Sequence, residues 1–340
     1  MVMNPYSGFL PHGGDVGTAR AQFPDAPEPF IDLSTGINPH PYPLPQLPPE
    51  LFAQLPQRSA LDRVIAAAAR FYNAPSSDHV VAAPGTQILL TATTALLPCR
   101  RAAVLGPTYS EHVRVATLAG HHTKEVSELD ELAGAELAVV VNPNNPDGRI
   151  VPRPALLATA DKLRSHGGLL MVDEAFVEVA AAGTSLAGEV GRGNIVVLRS
   201  FGKFFGLAGL RLGFALAAPA IAKRIAAWLG PWAVSAPALA VAEAALADAA
   251  WAQAMRERLC RDAQRLDEVL SQSGLELIGG TPLFRLARCP AAKALFEHLG
   301  RAGILVRHFT ENPTWLRFGL PADEASWARL RTALTNFGKQ

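Results

Sequence analysis

The stretch RSFGKFFGLAGLRLG, Arg199–Gly213, sets one lysine among glycines, phenylalanines and leucines. Ser200 stands three residues before Lys203, and Arg211 eight residues after it. Flanked by Phe201, Phe204 and Phe205, the lysine has an apolar setting that disfavours its ammonium form and readies a neutral amine to condense with a carbonyl. The plain alternative is a surface lysine whose stem lies along apolar neighbours. The sequence on either side separates the two.

From about His79 to Leu216, short β-rich runs alternate with helical stretches: HVVAA, AAVLGPTY, LAVVVNP, LLMVDEAF, NIVVLRSF and LRLGFALA. These runs are apolar on both alternating faces, as strands covered by helices on both sides must be. The expectation is an α/β domain with a mainly parallel sheet, its site beyond the carboxyl ends of the strands. Before it, prolines at 39, 41, 43, 45, 48 and 49 require an extended connector. SALDRVIAAAARFYN then predicts a helix capped by Ser59, with Asp62 in its first turn and Leu61, Val64, Ile65, Ala68 and Phe71 recurring on the face that packs. Beyond Pro237 an alanine-rich stretch predicts one long helix, with Met255, Leu259, Leu266 and Leu270 on a stripe and Gly274 as the stop. The runs LFRLA, ILVRHF and WLRFGL, with the helix AAKALFEHLGRAG, predict a smaller α+β domain. The expected boundaries are 1–50 for an arm and part of the small domain, 51–235 for the large domain and 236–340 for the rest of the small one.

At 340 residues, 49% apolar, 18% charged and net charge +1, the chain has the balance of a globular protein that offers no basic face to nucleic acid. No apolar run approaches the length of about 20 residues that a membrane helix needs. MVMNPYSGFLPHGGD lacks the features of a signal peptide, so a cytoplasmic protein is expected. Cys99, Cys260 and Cys289 are far apart, and neither a disulfide framework nor a metal site is expected.

Polar residues interrupt the apolar runs at the strand ends. Gly85 and Thr86 in APGTQ would present free backbone N–H groups at a helix N-terminus, a setting that suits a phosphate, although any strand-to-helix turn favours glycine. Asp173 ends GLLMVD, where a carboxylate needs a cationic or donor partner; a helix cap or a structural ion pair would also serve. Asn145 in NPNNPDG reads by itself as turn chemistry. An amine, a strand-end acid, a phosphate-suited turn, Ser200 and Arg211 together form the set that pyridoxal 5'-phosphate (PLP) asks for: a lysine for its aldehyde, an acid for its ring nitrogen and donors for its phosphate.

SFGKFFGLAGLRLG, with NPNNPDG and DEAF upstream in that order, resembles the fold-type I PLP-dependent enzymes of the histidinol-phosphate aminotransferase branch. HGGD, STGINPHPYP and PWAVSAPALAVAEAAL are similar to segments of the threonine-phosphate decarboxylases of cobalamin biosynthesis within that branch. The resemblance implies a three-layer large domain with a mainly parallel mixed sheet, a smaller α+β domain, and a homodimer. It implies that Lys203 condenses with the PLP aldehyde and moves protons at the substrate carbon, that Asp173 pairs with the ring nitrogen, and that Asn145 bonds the 3'-oxygen and touches the substrate. Tyr109 would stack on the ring; Gly85, Thr86, Ser200 and Arg211 would hold the phosphate. Arg317 would clamp the substrate α-carboxylate, with Arg307 and His12 on the substrate's own phosphate. The implied reaction is decarboxylation of O-phospho-L-threonine to (R)-1-aminopropan-2-yl phosphate, with transamination of histidinol phosphate or a similar phosphorylated amino compound as the rival.

Five positions depart from the branch: Phe176 stands where a tyrosine is usual, Gly202 where a serine or threonine precedes the lysine, Asp147 where a threonine follows the asparagine-proline pair, Leu55 where a tyrosine precedes a proline, and Gly36 where relatives often have asparagine.

Overall fold

The structure, a computed structural model, describes residues 12–98 and 100–338, so Cys99 lies outside the described residues. The chain divides into two compact units: Pro41–Arg256, and the residues up to His40 together with those from Glu257 onward.

The larger unit is built on seven strands: β1 Val80–Ala83, β2 Arg101–Leu105, β3 His122–Val126, β4 Leu137–Val141, β5 Leu169–Asp173, β6 Ile195–Ser200 and β7 Gly213–Ala217. Their order is β1-β7-β6-β5-β4-β2-β3. Every neighbouring pair is parallel except those made by β7, which runs against both β1 and β6. The six runs read from sequence are strands, and β3 is the seventh. Its HTKEV is mostly exposed, with Val126 alone buried, unlike β1 at the opposite edge of the sheet, which is buried throughout.

Helices α1 Arg58–Phe71, α2 Thr86–Thr94, α3 Glu111–Leu118, α4 Arg153–Arg164 and α5 Pro219–Leu229 connect and cover the strands. Leu89 and Leu90 of α2, Val115 of α3 and Ile225 of α5 pack with Val104, Val139, Met171 and Leu198 of the sheet in one apolar cluster. Helix α1 has Gln57 at its cap position, with no side-chain cap, so the expected cap Ser59 lies inside its first turn. The predicted long helix is two, α6 Ala236–Ala247 and α7 Ala249–Gln272. Asp248 breaks it: its backbone leaves the helical region, Oδ1 caps the N–H of Trp251 at 2.9 Å and Oδ2 accepts from the Tyr42 hydroxyl at 3.3 Å.

In the smaller unit, β8 Glu276–Thr281, β9 Phe284–Arg288, β10 Arg307–His308 and β11 Trp315–Gly319 form an antiparallel sheet in the order β10-β11-β9-β8. Helices α8 Ala292–Arg301 and α9 Glu324–Phe337 complete it. The run ILVRHF is divided: Ile304–Leu305 pairs in parallel with Ile31–Asp32, while Arg307–His308 joins β11. Among the described residues no helix is long and apolar enough to cross a membrane, and no group of three or more His, Cys, Asp or Glu is placed to hold a metal ion.

Candidate active site

The parallel strands bring their carboxyl ends to one edge of the larger unit's sheet, and the polar interruptions of the sequence collect there. At the end of β1, Gly85 caps α2 with φ of 88°, a backbone region that favours glycine. A Cβ on Gly85 would stand 2.7 Å from Arg211 Nη2, so the missing side chain makes the room in which the guanidinium faces the start of α2. A Cβ on Gly213, at the start of β7, would stand 2.8 Å from the Thr86 nitrogen. Arg211 itself has φ of 52° and ψ of 63°, and its Nη1 donates to the carbonyl of Ala208 at 3.3 Å. A helix N-terminus facing an exposed guanidinium forms an anion cradle. Gly85→Ala is expected to raise the dissociation constant of a phosphate-bearing ligand at least about tenfold, because the methyl both displaces Arg211 and strains φ; calorimetric titration with PLP checks it.

Asp173, the last residue of β5, is buried, and its Oδ2 lies 3.1 Å from His112 Nε2. Its Oδ1 accepts from the Ala175 N–H at 3.1 Å. His112 is buried in the first turn of α3, its ring 6.0 Å from that of Tyr109 in an edge-to-face arrangement. The sequence assigns His112 no role; the signal was its place three residues after Tyr109, one helical turn past a strand end. The Tyr109 phenol is pushed up to about 12, by burial first and then by the carboxylates of Glu111 and Asp173, so it stays protonated at neutral pH. Tyr109 donates its hydroxyl to Gln87 Oε1 at 3.4 Å, and Gln87 Nε2 donates to Glu111 Oε2 at 2.6 Å.

The loop after β4 is stitched by its own side chains. Asn142 Oδ1 accepts from the Val151 N–H at 2.9 Å, and Asn144 donates to the Pro107 carbonyl at 2.9 Å. Asp147 Oδ1 accepts from Asn144 Nδ2 at 2.7 Å and from the Arg149 N–H at 3.0 Å, so the departure from threonine there is a loop fastener. Asn145 is half-buried between these anchored residues.

Lys203 lies in the short helix Phe201–Phe204 that follows β6, directly after Ser200. The expectation that its neighbouring phenylalanines form the amine's apolar wall is corrected. Phe201, Phe204 and Phe205 are fully buried and turn inward: Phe201 stacks on Phe205 at 4.4 Å between centroids, and Phe205 on Trp251 at 5.6 Å. They hold the turn, while the amine stays half-buried with its Nζ 5.7 Å from the centroid of Phe176. Gly202 is required by close packing, since a Cβ there would stand 2.7 Å from the Cα of Ala208. A serine at this position would displace backbone.

In the smaller unit Arg317 is buried on β11, and its Nη2 donates to the Ser34 carbonyl at 2.7 Å. Burial pulls its guanidinium down to about 10, and the neighbouring Arg307 adds to the effect while Asp32 opposes it. Arg307 and Arg317 are register partners across β10 and β11, so their side chains leave the same face of the sheet. His12, Gly13, Ser34, Arg307 and His308 line one recess of this unit, which brings together two of the residues singled out for a substrate phosphate.

Eight of the singled-out residues thus belong to the larger unit, and His12, Arg307 and Arg317 to the smaller. The anion cradle, the buried acid backed by His112, and the accessible amine are the three attachments that PLP requires, and the residues present fit it.

The chain matches the family Aminotransferase class I and II over residues 47–334. A threonine-phosphate decarboxylase of Sinorhizobium sp is 44% identical over 326 residues, covering 95% of this chain and 97% of its own. One from Pseudomonas aeruginosa is 42% identical over 332 residues, covering 97% and 98%. Among solved structures, the histidinol-phosphate aminotransferase of Sinorhizobium meliloti in complex with pyridoxal-5'-phosphate superposes with a TM-score of 0.82 at 22% identity, covering 99% of each chain.

Proposed function

The chain belongs to the class I and II aminotransferase family, and from that membership we propose that it is a PLP-dependent carboxy-lyase. Its substrate is O-phospho-L-threonine and its product (R)-1-aminopropan-2-yl phosphate, a precursor in cobalamin biosynthesis. What carries this reading is the near-full-length likeness to two threonine-phosphate decarboxylases.

Gly85, Thr86, Ser200 and Arg211 hold the cofactor's phosphate in the cradle described above. Asp173 would pair with the ring nitrogen and keep it protonated, and buried His112 orients that carboxylate. Asn145 bonds the 3'-oxygen and touches the substrate, and Tyr109 lays its ring on the cofactor's. When bound, PLP supplies an electron sink for the pair released as a bond to Cα breaks. Lys203 would hold the cofactor through its aldehyde and, when the amine is free, would return a proton to Cα. Arg317 receives the α-carboxylate, and as a guanidinium it keeps its charge at neutral pH despite its burial. His12 and Arg307, which line one recess, receive the substrate's phosphate dianion. The protein acts in the cytoplasm as a homodimer; the exposed apolar side chains of Leu44, Phe52 and Leu55 in the larger unit suit a second copy.

The test is direct. Incubated with PLP and O-phospho-L-threonine, the protein is expected to release one CO₂ per aminopropanol phosphate formed, with no need of 2-oxoglutarate. Keto product that depends on 2-oxoglutarate, without CO₂, would replace this reading by transamination.

A further inference from the structure

The residue after Asp173 and the residue before Ser200 turn away from the candidate site and meet in the interior of the larger unit. Arg199 Nη1 donates to Glu174 Oε2 at 2.6 Å, and its Nε lies 3.2 Å from Glu178 Oε1. The guanidinium carbon stands 4.4 Å from the centroid of the Tyr72 ring. All three charged groups are buried, Glu174 completely. Glu174 is fastened further: Oε1 accepts from the Leu186 N–H at 2.7 Å and Oε2 from the Ser185 hydroxyl at 2.6 Å. Among the described residues neither oxygen of Glu178 accepts a hydrogen bond and Arg199 Nε donates none, so the two are joined as an ion pair, while Arg256 Nε donates to the Glu178 backbone carbonyl at 2.8 Å. Burial pushes both carboxyls up, against the pull of Arg199.

Such a cluster is a poor way to gain stability, because removing three charges from water costs about as much as their attraction returns, and apolar side chains would fill the space as well. What a guanidinium adds is shape: a planar cation that hydrogen-bonds Glu174 through Nη1 while its Nε edge carries charge against Glu178, two sides that a compact ammonium does not offer. The fork closes on residues that are one step from the chemistry. Glu174 adjoins Asp173; Phe176, whose ring faces the Lys203 amine, lies between the two clamped glutamates; Arg199 begins the turn that delivers Ser200 and Lys203. At the strand level the same two segments are already paired, Asp173 beside Leu198 and the Glu174 N–H on the Leu198 carbonyl at 2.9 Å.

We propose that Arg199 is a positioning residue whose fork, closed on Glu174 and Glu178, holds Asp173, Phe176 and Lys203 at the mutual separations that one bound cofactor requires. The proposal rests on the PLP reading above.

Arg199→Lys tests it, because the lysine keeps the buried charge and loses the fork. The readouts are thermal melting of the cofactor-free chain, the rate at which visible absorbance develops when PLP is added, borohydride trapping of that PLP on Lys203, and kcat with KM for O-phospho-L-threonine. Melting is expected to shift by only a few degrees, absorbance to develop about tenfold to a hundredfold more slowly, kcat to fall by a similar factor, and KM to stay within about threefold. Condensation at the wild-type rate with wild-type kcat would overturn the proposal. Should Arg199→Lys fail to fold, Glu178→Gln opens one arm of the fork while sparing the Glu174 pair. It is expected to slow condensation about threefold to tenfold, and an unchanged rate would overturn the proposal equally. A wild-type chain on which borohydride traps no PLP at Lys203 would instead overturn the cofactor reading, and this inference with it.

Discussion

Replacing Lys203 by alanine is expected to abolish the visible absorbance of the PLP-loaded protein and to lower kcat at least about a thousandfold, since the same amine both binds the cofactor covalently and moves the proton at Cα. The fold should survive. The three phenylalanines around Lys203 are anchored to one another and to Trp251, and the lysine stem is only half-buried, so the stability change should stay within about 1 kcal/mol. PLP should still bind through the Gly85–Arg211 cradle, now reversibly, so that borohydride leaves no label on the chain. Residual colour resistant to dialysis, or turnover within tenfold of wild type, would remove Lys203 from the reaction.

Asp173→Asn should come second in severity. The amide fits the space, but it cannot hold a positive charge on the ring nitrogen, and that charge makes the ring an effective electron sink. A loss of about a hundredfold or more in kcat is expected, with a much smaller change in the affinity for PLP phosphate, which other residues hold. His112 loses its anionic partner in the same variant, so His112→Gln is the companion measurement. A smaller effect in His112→Gln than in Asp173→Asn assigns the charge to Asp173 and its orientation to the imidazole. Wild-type kcat in Asp173→Asn would show that ring protonation does not depend on this carboxylate.

Six of the seven strands of the larger sheet could be read directly, because a strand buried on both faces must be apolar throughout. The seventh, His122–Val126, could not, because only Val126 of its five residues is buried and a strand so exposed looks like a polar loop. The candidate residues Gly85, Tyr109, Asn145, Asp173, Ser200 and Lys203 stood out for a related reason: at the end of a buried strand a polar residue or a glycine breaks the pattern. Arg199, Glu174 and His112 break it too, but sequence does not say whether a charge beside a strand end faces the site, the interior or water. Alternation only predicts that Glu174 points away from Asp173, and it does.

The sequence by itself determined the class of fold, the order of the chemical groups and the cofactor they serve, because local hydrophobic period and strand-end polarity are properties of neighbours in the chain. Tertiary structure alone decided which side of each strand end those groups take. It turned the phenylalanines around Lys203 inward against Trp251, gave the amine the face of Phe176 instead, and set Arg211 against the glycine that opens α2. It also closed one buried guanidinium on two carboxylates 21 and 25 residues upstream. Contacts of that kind depend on which strands lie side by side, and the order β7-β6-β5 of the sheet is what brings them together.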